Sequence, residues 1–114
     1  MKLQEVLNLL NAELLTQEDD LNRQIEIIQA SDLMSDVLTQ GHEGALLITG
    51  LVNAQSIRTA EVVDLGGIVF VRGKRPSAET VAMARRSSIP LLATSLTMYE
   101  ACGRLHVVQA NGSL

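Results

Sequence analysis

Three continuous apolar runs, Ala45-Leu46-Leu47-Ile48, Ile68-Val69-Phe70-Val71 and Ile89-Pro90-Leu91-Leu92-Ala93, begin about twenty-two residues apart, the interval of a strand, a turn and a returning helix. Unbroken apolar runs, as opposed to alternation, are what strands become when helices cover both faces of a parallel sheet. The spacing therefore predicts βα units. Each run ends in small or polar residues, Thr49-Gly50, Arg72-Gly73 and Thr94-Ser95. In an open parallel sheet ligands bind beyond the carboxyl ends of the strands, so any functional site is expected there.

The first forty residues have another rhythm. Leu3, Val6, Leu7 and Leu10 form the stripe of a short amphipathic helix, which must dock on something. Glu13-Leu14-Leu15 predicts a short strand closed by the polar run 16–20, and residues 23–29 predict a longer one. Ser31 stands as N-cap for a helix over 32–40 that ends at Gly41. Further helices are expected over 56–65, with Gly66-Gly67 as C-cap and tight return, from Pro76-Ser77 to Ser88, and over 96–105. The fold class is thus α/β: layered, with a mostly parallel four- to five-stranded sheet flanked by helices. With 114 residues and 46% apolar content, one domain spanning 1–114 is expected.

Composition narrows the partners. The aromatic residues are Phe70 and Tyr99, so no stacking platform exists for nucleic-acid bases, and a net charge of −4 opposes a phosphate backbone. No apolar stretch approaches a membrane span, and the opening residues lack the form of a secretory signal. The single cysteine, Cys102, fits a reducing compartment, and a cytoplasmic location is expected.

Arg72, Gly73, Lys74 and Arg75 place three cations and a glycine between a strand end and a helix start. Such a place suits a phosphate or carboxylate; it also fits a solvated turn whose cations pair with Glu79. Thr49, Gly50, Asn53, Thr94 and Ser95 can either contact a ligand at the strand ends or cap the helices that follow. A phosphate loop is excluded by spacing, because five residues separate Gly67 from Gly73 and Lys74 precedes Arg75 where a hydroxyl is needed. No dinucleotide fingerprint follows any strand. His42 and His106 have no companion at metal-ligand spacing, Glu18-Asp19-Asp20 lacks a calcium-loop pattern, and Cys102 reads as a small buried hydrophobe. No metal and no cofactor are expected.

The succession Gly44 to Gly50, Gly66 to Val71, Arg72-Gly73-Lys74-Arg75-Pro76-Ser77-Ala78-Glu79, Ile89 to Thr94 and Tyr99-Glu100 resembles the DRTGG domain along nearly the whole chain. The Asp-Arg pair of that pattern is replaced, with Asn53-Ala54 standing nearest, and of its Thr-Gly-Gly group Gly73 is retained. The resemblance implies an accessory α/β domain, found elsewhere fused to CBS domains in pyrophosphatases and to phosphotransacetylases, and similar to the N-terminal part of HPr kinases. It further implies a homodimer acting on a separate enzyme or signalling protein. The expected function is a non-catalytic regulatory module binding a small anionic metabolite or nucleotide at the strand ends. Two alternatives stand beside it: a pure interaction domain using Leu3, Leu7 and Leu10 or Leu51-Val52, and an acyl or phosphoryl transferase relying on Glu79 or Glu100.

Overall fold

The computed structural model of the protein describes residues 1–112. Five strands, β1 (Glu13–Leu14), β2 (Ile28–Ala30), β3 (Leu46–Thr49), β4 (Gly67–Phe70) and β5 (Leu91–Ala93), form one sheet in the order β1-β5-β4-β3-β2. Only β1 runs antiparallel to its neighbour. The α/β class and the mostly parallel sheet agree with the expectation. Alternate residues of each apolar run go to opposite faces, as the two-residue period of a strand requires. Leu46, Ile48, Val69, Val71 and Leu92 pack under α1 (Leu3–Leu10) and α5 (Met98–Ala110). Ala45, Leu47, Ile68, Phe70 and Leu91 pack under α2 (Met34–Gln40), α3 (Ala54–Val63) and α4 (Ala78–Arg86).

Several boundaries depart from the expectation for identifiable reasons. Residues 23–29 do not make one long strand. Gln24 forms an isolated bridge to Lys2, and the Ile25 amide donates to the Met1 carbonyl, which drives the Ile25 side chain into the core. Only Ile28–Ala30 remains to pair with β3. Ser31 is not the N-cap of α2, because its hydroxyl accepts the Leu33 amide at 3.0 Å and the helix begins at Met34. That local turn leaves Asp32 outside the helix, beside the end of β3. α3 starts two residues early because the Asn53 side chain caps it, accepting from the Gln55 amide at 3.0 Å. Its left-handed C-terminal residue is Asp64 at φ 62°, not a glycine. Gly66 serves a different purpose: a Cβ there would collide with the Gly44 carbonyl. α5 starts at Met98, behind a Thr97–Glu100 capping box, and runs past 105 to Ala110.

Leu3, Val6 and Leu10 are fully buried. The amphipathic helix docks on its own sheet. Leu7 packs against the same cluster, and Leu51 and Val52 pack against the opposite one. Leu7, Leu51 and Val52 stay half-buried.

Candidate functional site

The turn after β4 is the centre of the candidate site. The Lys74 amide donates to the Val71 carbonyl at 3.2 Å, while Arg72 and Gly73 sit at φ 61° and 70°. Two successive left-handed residues closed by such a bond make a turn of the primed kind. Gly73 accepts this freely, whereas Arg72 is held there against a steric cost of about 1–2 kcal/mol. The Arg72 amide, donating to the Leu96 carbonyl at 2.7 Å, and the Gly73 amide, donating to the Thr94 carbonyl at 2.9 Å, fix the conformation. A strained non-glycine residue at a strand end is the kind of outlier that functional sites retain.

From this turn the cations fan apart. Arg72 reaches over β3, where its guanidinium lies against Gly50 so closely that a Cβ on Gly50 would strike it. Its Nη2 stands 3.8 Å from Asp32 Oδ2. Asp32 Oδ1 accepts the Gly50 amide at 2.6 Å and the Thr49 hydroxyl at 3.2 Å. A guanidinium, a backbone N–H and a hydroxyl therefore converge on one carboxylate. Such groups suit an anion, and here they surround the chain's own Asp32. Sequence reasoning missed Asp32 because it assigned that residue to the first turn of α2; Ser31 two residues before Leu33 was the available signal for a turn.

Arg75 reaches the other way, over β5 to β1. Its Nη1 and Nη2 donate to Glu13 Oε1 and Oε2 at 3.0 and 2.9 Å, a bidentate pair on the surface. Glu13, not Glu79, is its partner. The hydrogen bonds and then the charge of Arg75 hold the Glu13 carboxyl below the usual range. A lowered folded-state value means that this contribution is present at neutral pH and is lost as pH falls through it. Wild type and Glu13→Gln are therefore expected to differ in thermal midpoint at neutral pH and to converge in acid. An undiminished difference in acid would contradict the pairing.

The expected site residues thus fall into two groups. Thr49, Gly50 and Arg72 meet at Asp32. Gly73, Arg75, Thr94 and Ser95 line a separate cleft of about 270 Å³ beside Glu13. Within it Thr94 is structural, its buried hydroxyl donating to the Leu10 carbonyl at 2.8 Å. Lys74 is exposed on the turn between the groups, and Asn53 is engaged as the cap of α3. Of the carboxylates considered for a transferase, Glu100 is held by the Thr97 amide and hydroxyl at 3.0 and 3.1 Å, which pull its carboxyl below the usual range. Burial pushes the Cys102 thiol up, the opposite of what activates a nucleophile. Among the described residues no three His, Cys, Asp or Glu side chains gather as a metal site, and no helix is long and apolar enough to cross a membrane.

The family model of the DRTGG domain matches residues 5–108. Among solved structures, the CBS and DRTGG domains of the regulatory region of Clostridium perfringens pyrophosphatase, complexed with the activator diadenosine tetraphosphate, superpose with a TM-score of 0.72 at 18% identity. The match covers 90% of this chain and 44% of that one, so the chain spans less than half of its structural relative. None of the curated proteins matches.

Proposed function

Because the chain belongs to the DRTGG domain family, we propose that it is a non-catalytic regulatory module, homodimeric and cytoplasmic, that binds a small anionic metabolite or nucleotide at the strand ends and acts on a separate enzyme or signalling protein. The convergence of the Arg72 guanidinium, the Gly50 amide and the Thr49 hydroxyl on one carboxylate is the observation that carries this reading. The similar fold in a pyrophosphatase regulatory region crystallised with a dinucleotide activator supports the regulatory role.

The ligand anion takes the place of the Asp32 carboxylate. That exchange is cheap on the Arg72 side. At 3.8 Å, with the two side chains 42% and 50% exposed, the ion pair is of the surface kind, worth about 0–1 kcal/mol. A ligand phosphate, with more charge and more acceptor oxygens, competes for the same donors.

A thermal-shift panel of adenine and guanine nucleotides, cyclic dinucleotides, acyl-CoA and sugar phosphates tests the proposal. A ligand at a hundred times its dissociation constant stabilises by about 2.7 kcal/mol, several degrees for a domain of this size. Arg72→Gly should relieve the left-handed strain and melt no lower than wild type, yet lose the ligand shift. Asp32→Asn, which removes the competing charge, should enlarge it. A shift that survives Arg72→Gly would place the ligand elsewhere, and a flat panel with both wild type and Asp32→Asn would remove the ligand from the proposal.

A further inference from the structure

α5 packs Ala101, Leu105 and Val108 inward, yet two large apolar side chains also stand on its outward side. Tyr99 is 88% exposed and Val107 58%. With Gly103, His106 and Ala110 they lie along the side of the helix turned from the sheet, at the three- and four-residue spacing of one helical face. Tyr99, Glu100, Cys102, Gly103, Arg104 and His106 line a broad, shallow depression of about 610 Å³ on this face.

Gly103 is the anomaly. An interior helical glycine costs about 1 kcal/mol relative to alanine. Nothing inside the chain requires it, because a Cβ there would meet no atom within 4 Å and the residue does not lie in the left-handed region. The open space above Gly103 leaves room for the close approach of another backbone.

We infer that this face of α5 is the contact between two copies of the chain, crossed antiparallel about a two-fold axis at Gly103. In such an isologous contact each residue meets its own counterpart or a reciprocal partner, and two exposed pairs about Gly103 are matched in this way, one apolar and one polar. Gly103 meets Gly103, so the helices approach closely there. Tyr99 of one copy meets Val107 of the other, an aromatic–aliphatic contact made twice. Glu100 meets His106, an acceptor opposite a donor, also made twice. Glu100 Oε1 is engaged in the capping box, which leaves Oε2 for the second copy. The face continues toward the edge strand β2, where a cleft of about 130 Å³ is lined by Ile28, Ala30, Cys102 and His106.

The inference rests on the homodimeric part of the proposed function and adds its surface. Sedimentation velocity of the full chain over the micromolar range tests it, with Gly103→Leu and Tyr99→Asp as separate variants. Both positions are exposed, and replacing glycine by leucine favours the helix, so each variant should melt no lower than wild type when dilute. Wild type is expected to sediment as a dimer, and each variant to dissociate about tenfold or more readily, as loss of a central contact does. A monomeric wild type would overturn both the inference and the homodimer. A dimer of unchanged affinity in both variants would overturn this surface and leave a homodimer built elsewhere.

Discussion

Phe70→Ala is expected to cost about 3–5 kcal/mol, the range for truncating a fully buried aromatic side chain. Phe70 is the chain's one phenylalanine and has no exposed surface. It ends the central strand β4, in register with Thr49 on one side and Ala93 on the other. It packs with Met34 and Val37 of α2, Ile57 and Ala60 of α3, and Ala84 of α4. In a core otherwise made of aliphatic side chains, no neighbour is large enough to refill the space. Against a total stability of about 5–15 kcal/mol, the loss should lower the thermal midpoint by about 15 °C or more. Phe70→Leu, which keeps most of the volume, should cost much less. Urea titration of the three proteins measures this, and a loss below about 1 kcal/mol for the alanine variant would mean that the three helices do not close over Phe70 as described. The effect reaches the site as well. Phe70 lies two residues before Arg72, so a relaxed strand end would also loosen the donors gathered at Asp32.

The parallel sheet was legible because its strands are buried on both faces, and burial writes itself into sequence as unbroken apolar runs. Ala45 to Ile48 and Ile68 to Val71 could hardly be anything else. The site was only half legible. Thr49, Gly50 and Arg72 could be named from their position after strands, but their common partner could not. Asp32 comes from a different connection, and only the pairing of β2 with β3 brings it alongside Gly50. The same holds for Glu13, sixty-two residues from Arg75, which reaches it because β1 pairs with β5. Local signals misled where two local structures compete for one residue. Ser31 is a good N-cap and an equally good turn former, and the turn prevailed, which turned Asp32 from a helix residue into a ligand of the strand end. The outward face of α5 went unread for the opposite reason: Tyr99, Gly103 and Val107 carry no motif, and their exposure becomes visible only when Ala101 and Leu105 are seen to face the sheet.

Gly66 offers the second large effect, and a direct contest between two explanations of the Gly66-Gly67 pair. If glycine were needed there to end α3, the left-handed residue would be one of the pair. It is instead Asp64, whose amide donates to the Ala60 and Glu61 carbonyls at φ 62°. Gly66 has no such φ. What it has is a carbonyl, that of Gly44, where its side chain would be, with Ile25 Cδ1 at 3.0 Å from the same point. The Gly66 amide donates to the Ala45 carbonyl at 2.8 Å and the Gly44 amide to that of Asp64 at 2.8 Å, so two backbone segments are clamped face to face at the entry to β3 and β4. A carbonyl in a backbone segment held by two hydrogen bonds cannot rotate away as a side chain can. Gly66→Ala must therefore push the strands apart, and is expected to cost about 2 kcal/mol or more, toward the upper part of the 1–3 kcal/mol range for overpacking. Asp64→Gly should be neutral or slightly stabilising, since glycine relieves the left-handed strain that Asp64 bears. Thermal midpoints of the two variants decide between the explanations: a large loss in Gly66→Ala beside none in Asp64→Gly assigns the glycine to close approach of the strands, whereas a tolerated alanine at 66 would return it to the helix end.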